Sequence, residues 1–143
     1  MLGVKKNKKL IIILLILSML LSSVTASERA SSIISSYSGG LAVNASGDLI
    51  ISFDISTHGK SDLLGASSVE LWMKTLTGWE TVAIYTASTN PNLQSSGKSF
   101  YGYSLSYNNA IVGEQYRAYI RLYATNGTNS DYRDVYSNPV VVL

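Results

Sequence analysis

Residues 116–124 read Tyr116-Arg117-Ala118-Tyr119-Ile120-Arg121-Leu122-Tyr123-Ala124. Tyr116, Ala118, Ile120, Leu122 and Ala124 form one set; Arg117, Tyr119, Arg121 and Tyr123 form the other. A period of two sends successive side chains to opposite faces of extended backbone, so this stretch is a strand with one buried and one wetted face. The same period recurs upstream. Leu49, Ile51, Phe53 and Ile55 alternate with Ile50, Ser52, Asp54 and Ser56, after a turn at Ser46-Gly47-Asp48. Val69, Leu71 and Met73 alternate with Glu70, Trp72 and Lys74; the chain then turns at 75–78 and returns over 79–86 as a hairpin. Tyr101, Tyr103, Leu105 and Tyr107 alternate with Phe100, Gly102, Ser104 and Ser106. A short early strand is expected at 41–44 and a last one at 134–143, where Pro139 fits a sheet edge. Loops are expected at 57–67, 86–98 and 126–131. About seven short strands with turn signals every ~8–12 residues predict an all-β, antiparallel β-sandwich, with a barrel of the same strands as the other arrangement.

The first 26 residues read differently. Lys5, Lys6, Lys8 and Lys9 precede an apolar run of 12 residues, 10–21. That run suits the apolar segment of a cleavable signal peptide helix and falls short of the ~20 residues of a membrane span. Val24 and Ala26 are small, which places the cut after Ala26. The expected organisation is a signal peptide at 1–26, a Ser-rich flexible lead-in at 27–38 and a sandwich domain at 39–143. The expected localisation is secreted, with membrane contact only through the signal peptide during export.

Charge and cysteine content exclude several functions. The chain has 11 basic and 9 acidic residues; losing the four lysines above leaves 7 against 9, a net charge of −2. That balance excludes a general nucleic-acid binder, which needs a dense basic field. With no cysteine, disulfides, thiolate metal sites and thiol nucleophiles are excluded. His58, Ser61 and Asp62 lie within five positions of one loop, too close to build a triad with a buried orienting carboxylate, and no G-x-S-x-G elbow is present. The single histidine has no second histidine as co-ligand, and no D-x-D-x-D-G loop appears. The reading is therefore a non-enzyme without cofactor.

The stretch 113–124, with the turn Asn126-Gly127 and the closing run Tyr136-Ser137-Asn138-Pro139-Val140, resembles the sixth and seventh strands of fibronectin type III and related immunoglobulin-like domains. The resemblance implies that Tyr116 is a corner tyrosine whose hydroxyl bonds backbone a few residues upstream. It departs from the family at Ala110 and Val112, where leucine and proline are usual. It covers about the last 30 residues and carries no function, because the architecture serves many. Segments 51–54, 62–68, 78–82 and 116–118 also resemble a family of small secreted proteins of unknown function from Gram-positive bacteria, which implies no activity either.

If the fibronectin-like topology holds, the strand at 116–124 neighbours that at 69–74. Trp72, Arg117, Tyr119, Arg121 and Tyr123 then share one solvent-facing surface. Flat rings interleaved with hydrogen-bonding side chains suit sugar or protein surfaces; the same pairs also stiffen a sheet with no ligand. The expected partner is an extracellular protein or glycan at this face. The competing readings are an enzyme or enzyme inhibitor working through loops 57–67 and 90–97, and a matrix component that assembles through its edge strands.

Overall fold

The computed structural model describes residues 33–143. The expected signal peptide lies outside the described residues. Nine strands form two antiparallel sheets: β1 (Ile34–Val43), β2 (Leu49–Ser61), β3 (Leu63–Lys74), β4 (Trp79–Thr86), β5 (Gln94–Ser95), β6 (Lys98–Tyr107), β7 (Gln115–Asn126), β8 (Asn129–Tyr136) and β9 (Val140–Val141). One sheet runs β1-β2-β6 and the other β4-β3-β7-β8, with β5 added to β3 and β9 to β7. The strands thus close as two separate sheets rather than as a barrel. The fold is an all-β, sandwich-like domain.

The core follows the alternation. Leu49, Ile51, Phe53 and Ile55 of β2 are buried with Leu64, Ala66, Val69 and Leu71 of β3 and with Tyr116, Ala118, Ile120, Leu122 and Ala124 of β7. Each fully buried large aliphatic stabilises the fold by about 1.5–3 kcal/mol relative to exposure. No cysteine is present, so this packing carries the structure.

Four local expectations are corrected. Residues 57–67 are not a loop, because β2 continues to Ser61 and β3 begins at Leu63. Asp62 alone separates them, its N–H bonded to the Thr125 carbonyl at 2.9 Å and its Oδ2 accepting from Gly127 N at 2.7 Å. A β-bulge between Ala66 and Ser68 shifts the phase, so buried positions step by three from Ala66 to Val69 and the alternation breaks. Residues 126–131 are not a loop tip either. Asn126 pairs with Asn129 across the two-residue turn Gly127-Thr128, and β8 starts at once. The last strand is divided: β8 ends at Tyr136, and β9 pairs with Gln115 and Tyr116 beyond Ser137-Asn138-Pro139. Proline has no N–H for a ladder, which suits it to that break. Finally, β1 starts at Ile34 rather than near residue 41, so the final part of the expected lead-in is paired backbone, with Tyr37 opposite Ile55. Its small polar residues masked the strand because β1 pairs with β2 alone among the described residues.

At the start of β7 the buried hydroxyl of Tyr116 accepts from Ile111 N at 2.9 Å, five residues upstream. The loop there is tied further by Gly113 N to the Val142 carbonyl and by Val142 N to the Glu114 carbonyl, at 2.7 and 3.1 Å.

Candidate functional site

The candidate surface is the outer face of the larger sheet. Because Val69, Leu71, Ala118, Ile120 and Leu122 point inward, the residues between them point out. Register brings them side by side: Trp72 faces Arg117, Glu70 faces Tyr119, Tyr119 faces Tyr136, Arg121 faces Asp134, and Tyr123 faces Tyr132. All five residues singled out in the sequence, Trp72, Arg117, Tyr119, Arg121 and Tyr123, lie on this one face.

They form two touching groups. In the first, the Arg117 guanidinium lies 5.1 Å from the Trp72 ring, 4.7 Å from Trp79 and 5.3 Å from Tyr136. Trp72 stacks on Tyr119 at 5.8 Å, and Tyr136 lies 6.0 Å from Trp72 and 5.0 Å from Tyr119. The indole is held in place by its Nε1–H, which donates to Glu70 Oε2 at 2.8 Å. In the second, Arg121 lies 4.8 Å over Tyr132, and Tyr132 is 4.6 Å from Tyr123. Asp134 joins the two: its Oδ1 accepts from the Tyr119 hydroxyl at 2.9 Å and sits 3.8 Å from Arg121 Nε.

Trp79, Tyr132 and Tyr136 complete the face and escape the sequence reading. A bulge between Leu71 and Trp72 leaves Val82 as an extra residue in β4, which hides the side to which Trp79 points. Tyr132 falls between the loop tip expected at 126–131 and the strand expected from 134. The signal for β8 was available in the alternation of Tyr132, Asp134 and Tyr136 with Arg133 and Val135. Tyr132 and Tyr136 are 46% and 55% exposed, and Ile84, opposite Glu70, is 62% exposed, so the face presents apolar and phenolic surface to solvent. His58 lies elsewhere, exposed on β2, with its backbone N–H bonded to the Ile33 carbonyl at 3.2 Å.

Burial pushes the Tyr119 phenol above its ordinary value of 10.0, and its hydrogen bond to Asp134 pushes the same way. Tyr123 is raised by burial and by Tyr132 beside it. On the inner side of the sandwich, Tyr85 and Tyr101 are raised by burial and by their neighbours Tyr107 and Tyr103. The folded state therefore holds phenolic protons that the unfolded chain releases near pH 10, and stability falls as pH rises above that value. A melting temperature that declines on alkaline titration past pH 10, less steeply in Tyr119→Phe, is the expected result; a flat profile would contradict it.

Comparison with protein-family models, with curated proteins and with solved structures finds no match for this chain. The geometry of this face is what bears on function.

Proposed function

We propose that the chain is a secreted, non-enzymatic recognition module whose contact surface is the outer face of the β4-β3-β7-β8 sheet, with a cell-surface glycan or protein as ligand. The observation that carries this reading is the gathering of six rings, Trp72, Trp79, Tyr119, Tyr123, Tyr132 and Tyr136, with two guanidinium groups on one face. Scattered exposed rings are ordinary, whereas a contiguous patch of them marks an interaction site. Aromatic side chains combine large contact area with little conformational entropy to lose, and arginine adds directional donors. Export is supported by the lysine cluster, the apolar run and the small residues before position 27.

A fibronectin type III-like architecture fits the same picture. The first, second and sixth strands share one sheet, the third, fourth, seventh and eighth share the other, and Tyr116 bonds back to Ile111. The segments resembling small secreted Gram-positive proteins agree with a bacterial source.

Purified chain is expected to be retained on isolated bacterial cell walls or on a glycan array. Trp72→Ala is expected to weaken retention by about 30-fold, the effect of a residue contributing ~2 kcal/mol at the centre of an interface, while the unfolding transition stays cooperative. Tyr119→Ala should act in the same direction. Absence of retention of the unaltered chain on either support would remove the proposal.

One observation favours a second reading, assembly through a sheet edge. The edge strand β6 has Lys98 as its only charge, whereas β8 at the edge of the other sheet carries Asp131, Arg133 and Asp134. Charges on an edge oppose strand addition, and their scarcity leaves β6 open to it. Sedimentation that shows concentration-dependent oligomers would support this reading; a monomer at all concentrations would exclude it.

A further inference from the structure

The described residues include three arginines, and each stacks on at least one ring, but they differ in what meets their N–H groups. Arg121 lies 3.8 Å from the Asp134 carboxylate. Arg133 pairs with Asp131 and stacks on Tyr37 at 6.0 Å. Arg117 has three rings around it and no carboxylate among the described residues. Its Nε–H is shut off from solvent and has no acceptor there. The ring contacts fix the guanidinium in place without using any of its donors, and its two terminal nitrogens are not among the buried, unpartnered atoms of the structure. A fixed planar fork with unused donors, flanked by ring faces, is complementary to a carboxylate attached to a ring that presents an apolar C–H face and hydroxyl groups.

We propose that Arg117 is the anchor for a carboxylated polysaccharide: a sugar ring packs against Tyr136 and Trp72, and its carboxylate accepts from the Arg117 terminal nitrogens. This rests on the recognition reading and adds the ligand class to it. The surface favours a saccharide over an acidic peptide because it is an open sheet face rich in phenol hydroxyls and ring faces, with Ile84 and, opposite Gln115, Val141 as its exposed aliphatic side chains.

The test measures binding of the unaltered chain to polygalacturonate, to its methyl ester and to polyglutamate at low salt. Polygalacturonate is expected to bind at least tenfold more tightly than the other two, with its advantage over the uncharged ester shrinking as salt rises. Arg117→Lys keeps the charge but loses the fork and is expected to lose most of that tenfold. Arg133→Lys, off this face and already paired with Asp131, is expected to stay within about twofold. Equal binding to acid and ester, both removed by Trp72→Ala, would overturn the role of Arg117 and leave the recognition surface standing. A preference for polyglutamate would overturn the ligand class, and no binding to polygalacturonate would overturn the proposal itself. The ester comparison alters only the ligand, so it holds even if an Arg117 variant folds poorly. Retention on cell walls tests the recognition reading separately.

Discussion

Gly65→Ala is expected to leave little folded protein. Gly65 is buried in β3 and has a φ of +143°, which residues bearing a Cβ rarely adopt. A Cβ there would stand 2.1 Å from the Leu93 carbonyl oxygen and 2.7 Å from the Gln94 Cα. Both are backbone atoms, so no rotamer change makes room. The close approach arises because Gln94 of β5 pairs directly with Gly65, just after the fully buried Leu93. Backbone strain of about 1–3 kcal/mol adds to an overpacking cost of about 1–3 kcal/mol or more. Against a total stability of roughly 5–15 kcal/mol, that is a large share. Gly127→Ala is the control: φ is +61° and nothing lies within 4 Å of the added Cβ, so only a backbone cost of about 1–2 kcal/mol applies. Urea midpoints of the two variants measure the difference. If both lose the same amount, the contact with Leu93 is not what requires the glycine.

Removing the Tyr116 side chain is the second large effect. The ring is 1% exposed, and its hydroxyl is the acceptor for Ile111 N. Tyr116→Ala is expected to cost about 3–5 kcal/mol, as large aromatic truncations do in a core. Tyr116→Phe keeps the ring and removes only the acceptor, for about 1 kcal/mol, or up to about 3 if the Ile111 N–H stays dry and unpaired. Denaturant unfolding of both variants separates ring from hydroxyl. If Tyr116→Phe matches the unaltered protein, the bond to Ile111 contributes nothing measurable.

Gly65 also shows where a linear reading stops. Nothing around residue 65 signals that a strand pairing with residues nearly thirty positions later leaves no space for a methyl group. The unbroken alternation at 49–55 and 116–124 made two central strands and their inward faces legible. The expectation that 116–124 neighbours 69–74 came from the fibronectin-like resemblance rather than from the alternation, and the register does place Trp72 beside Arg117. Legibility fails where a bulge resets the phase. The step from Ala66 to Val69 made the first half of β3 look like loop, and the extra Val82 detached Trp79 from the face to which it belongs. β8 was obscured for another reason. Its inward positions include Asp131 and Arg133, which pair with each other at the edge, so polar residues occupy both faces and the contrast between in and out is weak.

The ladders also constrain the order of events as the polypeptide is made. Only β1 with β2, β3 with β4, and β7 with β8 join segments adjacent in sequence; the bonds that knit each sheet together, β2 with β6 and β3 with β7, close loops of some fifty residues. β7 alone touches β3, β8 and β9, so the larger sheet has no interior until that segment is available. Topologies dominated by such distant pairings acquire their structure slowly, typically in milliseconds to seconds. A nascent chain that ends before residue 115 therefore holds every strand of the β1-β2-β6 sheet but lacks the centre of the larger sheet, and the two-sheet core closes only after β7 has emerged.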